Sequence, residues 1–149
     1  MDGLDEMLQT EDKEKKVVAM NQKEEQPKRK QFHFWSVAGV DHKLKLTTSM
    51  ITKLESKYKT NVINLVMNEG VPPLSVMLTI VQAALIPWEH GTSYKDVEKL
   101  FDLWLEQDGG DQQSFFKEVI VPLMAVSGFF TEKQTAEILE SLEERASQI

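Results

Sequence analysis

Cysteine is absent from this chain of 149 residues, so disulfides, thiolate nucleophiles and zinc–sulfur sites are excluded. A membrane-spanning run is missing too, because the most apolar stretch, residues 74–88, is short and is broken by Pro87. The first ten residues are acidic and lack the basic and apolar regions of a secretory signal. Basic residues are the minority, 17 against 24 acidic ones, and the net charge of −7 disfavours binding to a phosphate backbone. These absences predict a cytoplasmic protein that binds neither membrane nor nucleic acid.

The amino-acid composition changes near residue 31, and this change divides the chain into two parts. Residues 1–31 carry eight acidic and seven basic side chains and no aromatic one. Such a segment buries too little apolar area to offset its ordering entropy. We predict a flexible charged arm over 1–31 and a folded helical domain over 32–149. A short helix within the arm is the alternative, because Leu4, Met7 and Leu8 share one helical face.

The domain opens with a pattern typical of a β-hairpin. Residues 32–37 are aromatic and β-branched, residues 38–41 contain a glycine and predict a four-residue turn, and residues 42–46 alternate polar with apolar. The alternation directs Leu44 and Leu46 inward and leaves the intervening lysines in water. An isolated hairpin is only marginally stable. It therefore either packs on the helices or pairs its edge with another strand, which would make the edge a self-association surface.

Helical periodicity fills the rest of the chain. A polar cap among residues 47–49 begins the first helix, and Asn61 begins a short turn that runs through Val66. Residues 74–86 are apolar nearly all round, which is typical of a helix at the centre of a core. We predict a mainly α fold, a small domain of about five to six helices with an N-terminal β-hairpin.

Two later helix starts carry the spacing of a capping box, Ser93 with Asp96 and Thr131 with Gln134. Pro122 lies inside a helical pattern and predicts a kink there. The last helix is acidic with one narrow apolar stripe, which suits docking against a single partner helix. The stripe consists of Ile138, Leu139, Leu142 and Ala146.

No constellation for catalysis is evident in the sequence. The histidines, His33, His42 and His90, lie in no recognised signature, and paired carboxylates such as those at 143–144 lie on polar helix faces, where they are usually solvated. The glycines at 109–110 lack the lysine of a phosphate-binding loop. We predict no enzyme, no cofactor and no metal. A metal site built from His33, His42 and a carboxylate stays open as the alternative.

Large apolar side chains are the candidate binding residues. Helical spacing favours Trp104, Phe115 and Phe116 as core residues. Trp88 and the phenylalanine pair at 129–130 lie at breaks between elements. At such breaks a large side chain either packs into the core or stays exposed as a contact residue, and the sequence leaves both alternatives open. The predicted protein-binding residues are Trp35, Leu44, Leu46, Trp88, Phe129, Phe130, Leu139 and Leu142.

Packing and turn patterns in four stretches carry a family resemblance. They are FWSVAG at 34–39 with KLKLTT at 43–48, LSVMLTIVQAA at 74–84, HGTSYKDV at 90–97, and the segment from Pro122 to Phe130. Together they resemble the tail assembly chaperones of long-tailed bacteriophages and prophages of Gram-positive bacteria, over about two-thirds of the chain. The charged leader is longer than the resemblance predicts. None of these patterns is a catalytic signature.

The resemblance implies a role rather than a reaction. Members of this family bind the tape-measure protein in the bacterial cytoplasm before the tail tube polymerises around it, keep its apolar helices soluble and recruit tail-tube proteins. A chaperone for an extended helical client needs many copies, so we also predict self-association, with the hairpin edge and the narrow stripe of the last helix as candidate surfaces. Two other classes stay open: a structural virion or adaptor subunit, and a helical DNA-binding regulator. Acidic side chains at 96, 98 and 102 make the helix over 94–105 a poor recognition helix.

Overall fold

A two-stranded antiparallel hairpin precedes six helices in the residues that the computed structural model describes, 29–68 and 70–147, with side chains described up to residue 144. The mainly α fold with an N-terminal hairpin is therefore confirmed, whereas residues 1–28 of the predicted arm lie outside the described residues. The strands are β1 (His33–Val37) and β2 (Val40–Leu44). The first four helices are α1 (Thr48–Tyr58), α2 (Val62–Met67), α3 (Leu74–Leu85) and α4 (Tyr94–Gln107). They are followed by α5, described below, and α6 (Glu132–Ser147).

The hairpin turn is shorter than the sequence predicts. Val37 pairs with Val40, so only Ala38 and Gly39 form the turn, and Val40 and Asp41 belong to β2. Both turn residues have positive φ, 49° and 83°, which is the geometry whose twist matches that of two paired strands. A four-residue loop is therefore wrong, and the reason is the left-handed conformation of Ala38, which glycine or asparagine would have signalled and alanine does not.

Local side-chain caps explain where the helices begin. Thr47 accepts a hydrogen bond from the Met50 amide at the start of α1, and Asn61 accepts one from the Asn64 amide at the start of α2. The capping box of Ser93 is complete in both directions, and the same holds for the box of Thr131. Each cap satisfies an amide that the first helical turn leaves without a partner.

The fifth helix, α5, is continuous and has a π-helical middle. Its three segments are Gln112–Phe115, the π turn Phe116–Ile120 and Val121–Val126. Where the sequence predicts a kink inside a helix, the structure has this wider turn, and Pro122 stands at the start of the final α-helical segment. Proline has no N–H to donate to the carbonyl of Glu118 four residues earlier, and π turns are one way in which a helix accommodates such a break.

The core lies between the hairpin and the helices. Helix α3 is buried along most of its length, as its apolar sequence predicts, and it contacts α4 and β2. The inner face of the hairpin places Trp35 against the rings of Trp104 and Phe115, with centroids 6.0 and 5.3 Å apart. Phe101 completes this aromatic cluster at 5.0 Å from Phe115. The hairpin therefore packs on the helices, the first of the two arrangements that its sequence allows.

Candidate functional site

An open groove runs between α2 and α6 and has a volume of about 490 Å³. Ile63 and Met67, one turn apart on α2, form one wall. The opposite wall is one face of α6, where residues three and four apart follow one another along the groove. These α6 residues are Gln134, Glu137, Ile138, Ser141 and Leu142. Phe116 and Phe130 also line it, and both are buried. The groove thus joins an apolar interior to a polar rim, as protein ligand sites do.

Helix α6 is held along a single seam. Its half-buried residues Ile138, Leu139 and Leu142 pack against the core, and the helix contacts the last segment of α5. This agrees with the predicted narrow stripe, whose fourth member, Ala146, has a side chain outside the described residues. Lys117 and Glu143 form an ion pair of 2.9 Å between α5 and α6. Both side chains are exposed, so this pair contributes little to stability.

A second, smaller cavity of about 300 Å³ lies on the other side of α6. Leu139 and Thr135 face it from α6, and Arg29 and His33 face it from the start of the described chain. Phe130 lines both cavities, and its carbonyl accepts a hydrogen bond of 3.2 Å from the Arg29 guanidinium. The groove and this cavity together leave both flanks of α6 open to apolar contact.

The smaller cavity contains His33, whose pKa is lowered in the folded chain. His33 Nε2 lies 2.8 Å from the carbonyl oxygen of Glu118, and because a carbonyl only accepts, Nε2 carries the proton. Burial lowers the pKa of His33, the hydrogen bond to Glu118 opposes that shift, and the charge of Lys30 adds a smaller lowering. The ring is therefore a neutral donor at physiological pH.

The two hairpin histidines have different neighbours and different hydrogen-bond partners in the structure. His33 pairs with Leu44 and His42 pairs with Trp35, so the histidines are not directly opposite each other. His42 Nδ1 lies 2.8 Å from a carboxylate oxygen of Glu89. Within residues 29–68 and 70–147, no three histidine, aspartate or glutamate side chains converge in the manner of a metal site. His33 and His42 instead connect the hairpin to α5 and to the turn after α3.

The eight predicted binding residues divide by exposure. Trp35, Leu44 and Leu46 are core residues, because the aromatic cluster and the helices enclose the inner face of the hairpin. Phe130 is buried at the groove, and Phe129 is half-buried beside it. Only some of the eight predicted residues are therefore accessible to a partner. Leu142 lines the groove, Leu139 lines the smaller cavity, and Trp88 is exposed.

Sequence reasoning missed the α2 side of the groove. Ile63 and Met67 form an apolar pair spaced by four residues on a short helix whose cap, Asn61, is recognisable in the sequence. That spacing was a usable signal for an apolar face. Phe116 is a core residue, as its helical spacing predicts, but its contact with the groove depends on α6, which follows it in the chain.

The outer face of the hairpin forms a second surface, which we call the hairpin patch: Phe32, Phe34, Lys43, Lys45 and Trp88. The rings of Phe32 and Trp88 meet edge to face at 5.1 Å. The Lys43 amine lies 4.4 Å from the Phe32 centroid and 5.4 Å from the Trp88 centroid, and the Lys45 amine lies 5.4 Å from Phe32. These distances allow cation–π attraction. The lysines predicted to extend into water thus lie half-buried on aromatic rings.

None of the helices in the described residues is both long enough and apolar enough to cross a bilayer. Comparison with protein-family models, with curated proteins and with solved structures gives no match to this chain. The geometry of the groove is suited to binding another helix. Apolar side chains presented by another helix can bury themselves between α2 and α6, while polar side chains at the rim fix their register.

Proposed function

We propose that this chain is a tail assembly chaperone of a long-tailed bacteriophage or prophage, which binds the tape-measure protein and helps to recruit tail-tube protein in the bacterial cytoplasm. The four resembling stretches support the family assignment. The observation that carries the binding mode is the groove between α2 and α6, because an extended helical client presents rows of apolar side chains that such a groove accepts. The role needs binding and release, so no catalytic step is proposed.

Charge supports the same role. With a net charge of −7, many copies on one client repel each other and stay soluble, while each contributes a weak contact to a strong total. Exposed acidic residues Asp96, Glu98 and Asp102 lie on α4, the helix that a DNA-binding reading would place in a groove. We therefore propose no nucleic-acid partner.

Co-expression with the tape-measure protein of the same genome tests the proposal. Ile63 is 41% exposed and lines the groove, whereas Leu103 is 37% exposed and lies on α4 away from it. We expect Ile63→Glu to reduce co-purification at least tenfold, because the new carboxylate meets an apolar client surface. Leu103→Glu is the matched control and should bind as the parent chain does.

Three outcomes separate the parts of the proposal. Equal binding by both variants would remove the groove as the site, and failure of the parent chain to bind would remove the client. Mass spectrometry of purified particles then tests the role, because a chaperone leaves before the tail is complete. A constant copy number of this chain in mature particles would identify a structural virion subunit instead.

Self-association is the remaining part of the proposal. The outer strand edges of the hairpin are its candidate surface, since β1 and β2 pair only with each other among the described strands. Sedimentation equilibrium over a hundredfold range of concentration should show a reversible increase in mass. A monomer at every concentration would contradict this part alone and leave client binding to be judged separately.

A further inference from the structure

The hairpin patch combines positive charge with exposed aromatic surface. Phe34 is 52% exposed and Trp88 is 38% exposed. The ion pairs within residues 29–68 and 70–144 leave the amines of Lys43 and Lys45 without a carboxylate partner. The amines of these two half-buried lysines lie on aromatic rings and attract carboxylates, and the rings beside them attract apolar side chains. The patch therefore fits a peptide that is both acidic and apolar.

Such a peptide is present in this chain. Residues 2–12 contain five carboxylates and no basic side chain, and among them lie Leu4, Met7 and Leu8. The described chain begins at Arg29, which hydrogen bonds to the Phe130 carbonyl, and reaches the patch three residues later at Phe32. Residues 13–28 then connect the acidic segment to its anchor, and at about 3.3–3.6 Å per residue they span roughly 50 Å. That reach brings the segment to any face of the domain.

Charge directs the segment to one of the two apolar surfaces. The groove is flanked by α6, where Glu132, Glu137, Glu140 and Glu143 are exposed, and these carboxylates repel an acidic peptide. The hairpin patch offers the opposite charge. Because the segment is tethered, its effective concentration at the patch is on the order of millimolar, so weak contacts are enough to populate the docked state.

We propose that residues 2–12 of this chain dock on the hairpin patch of the same molecule, with carboxylates on Lys43 and Lys45 and apolar side chains on Phe34 and Trp88. This docking does not depend on the proposed function of the protein. It leaves the groove open while the second apolar surface of the domain is covered.

Zero-length carbodiimide cross-linking of the full chain tests this docking. We expect amide links from Lys43 and Lys45 to carboxylates of residues 2–12, mapped by mass spectrometry after mixing chains of normal and heavy nitrogen. Phe34→Ser keeps both amines and should reduce these links at least threefold. Val40→Ser is the matched control, because Val40 is 56% exposed on the same hairpin but outside the patch. Salt at 1 M should weaken the links, since screening then acts within about 3 Å.

A second measurement uses the absence of cysteine. Gln9→Cys provides a single attachment point for a nitroxide label, and the indole signal of Trp88 should broaden more than that of Trp104. Charge reversal at Lys43 and Lys45 should remove the difference. Links between a normal and a heavy chain at the frequency of random pairing would replace this proposal by docking between copies. Links spread evenly over the carboxylates of the chain, or equal broadening of the two indoles, would overturn it.

Discussion

His33 donates a hydrogen bond from Nε2 to the carbonyl of Glu118, 85 residues away in the chain and 2.8 Å away in space. This carbonyl is the one that an unbroken α-helix would pair with the N–H of residue 122, and residue 122 is proline. The first strand thus supplies a donor at the point where α5 lacks one. The hydrogen bond ties the hairpin to the π turn.

Burial of His33, which outweighs the opposing effect of this hydrogen bond, makes stability depend on the protonation of His33. Its pKa is lowered from 6.5 in the folded chain, so below pH 6.5 the unfolded chain binds the proton more readily. The free energy of unfolding should therefore fall as the pH drops through 6.5 toward the folded-state pKa, and His33 should contribute no slope above that range. Urea unfolding at pH 7.5, 6.5 and 5.5 measures the slope. His33→Gln keeps an N–H donor without titrating and should flatten this slope, whereas an unchanged slope in His33→Gln would contradict the prediction.

We expect substitution of Gly110 to destabilise the fold, because there is no space for a side chain at this position. A Cβ at this position would overlap the ring of Trp104, and that ring is fixed between Trp35, Phe101 and Phe115. Gly110→Ala should cost about 1–3 kcal/mol of unfolding free energy and change the near-ultraviolet circular dichroism of the tryptophans.

Gly109 provides the control, because its surroundings are open and only its φ of +67° disfavours alanine. Gly109→Ala should cost about 1 kcal/mol and leave the near-ultraviolet spectrum unchanged. Identical spectra for the two variants would show that the Trp104 ring yields to the new methyl group.

Ala38 offers a stabilising substitution. It adopts a φ of 49° at the first position of the hairpin turn, a conformation that costs asparagine less free energy than alanine. Ala38→Asn should raise the midpoint of urea unfolding by an amount equivalent to about 1 kcal/mol. The same change at exposed Ala136, within α6, should lower the midpoint, because asparagine is a weaker helix former. A gain at both positions would mean that the turn geometry is not the cause.

Thr131 sets the start of α6. Its hydroxyl accepts a hydrogen bond from the Gln134 amide at 3.1 Å, so Thr131→Ala should cost about 1 kcal/mol and increase amide hydrogen exchange in the first turn of α6. Thr135→Ala, one turn later, removes a hydroxyl that donates back to the Thr131 carbonyl. It should be close to neutral because alanine has the higher helix propensity. Equal losses would assign the effect to side-chain packing.

The features that the sequence predicts well are local. Caps at Asn61, Ser93 and Thr131 act within three residues, and they mark helix starts that the structure confirms. The hairpin turn at Ala38 is also local, but its left-handed conformation is imposed by strand pairing on a residue that gives no sign of it. Boundaries that depend on side-chain caps were therefore readable, and the boundary that depends on pairing was not.

The candidate site is non-local, which limits what a linear pattern reveals. The groove combines Ile63, Phe116 and Leu142, and these residues meet only after three helices have packed. Trp35 shows the opposite error. A tryptophan on a hairpin suggests an exposed contact residue, yet Trp104 and Phe115, far along the chain, enclose it. Exposure is a property of the packed elements and could not be deduced from either residue alone.

The enclosure of Trp35 also constrains how the protein is made. During synthesis the hairpin leaves the ribosome first, but Phe115, which covers Trp35, is translated 80 residues later. Until then the inner face of β1 and β2 is only partly covered, by Trp104 and by α3, and a lone hairpin does not hold its shape in water. Folding of this face is therefore complete only when α5 has been made, and until then the nascent chain exposes part of its apolar strand surface.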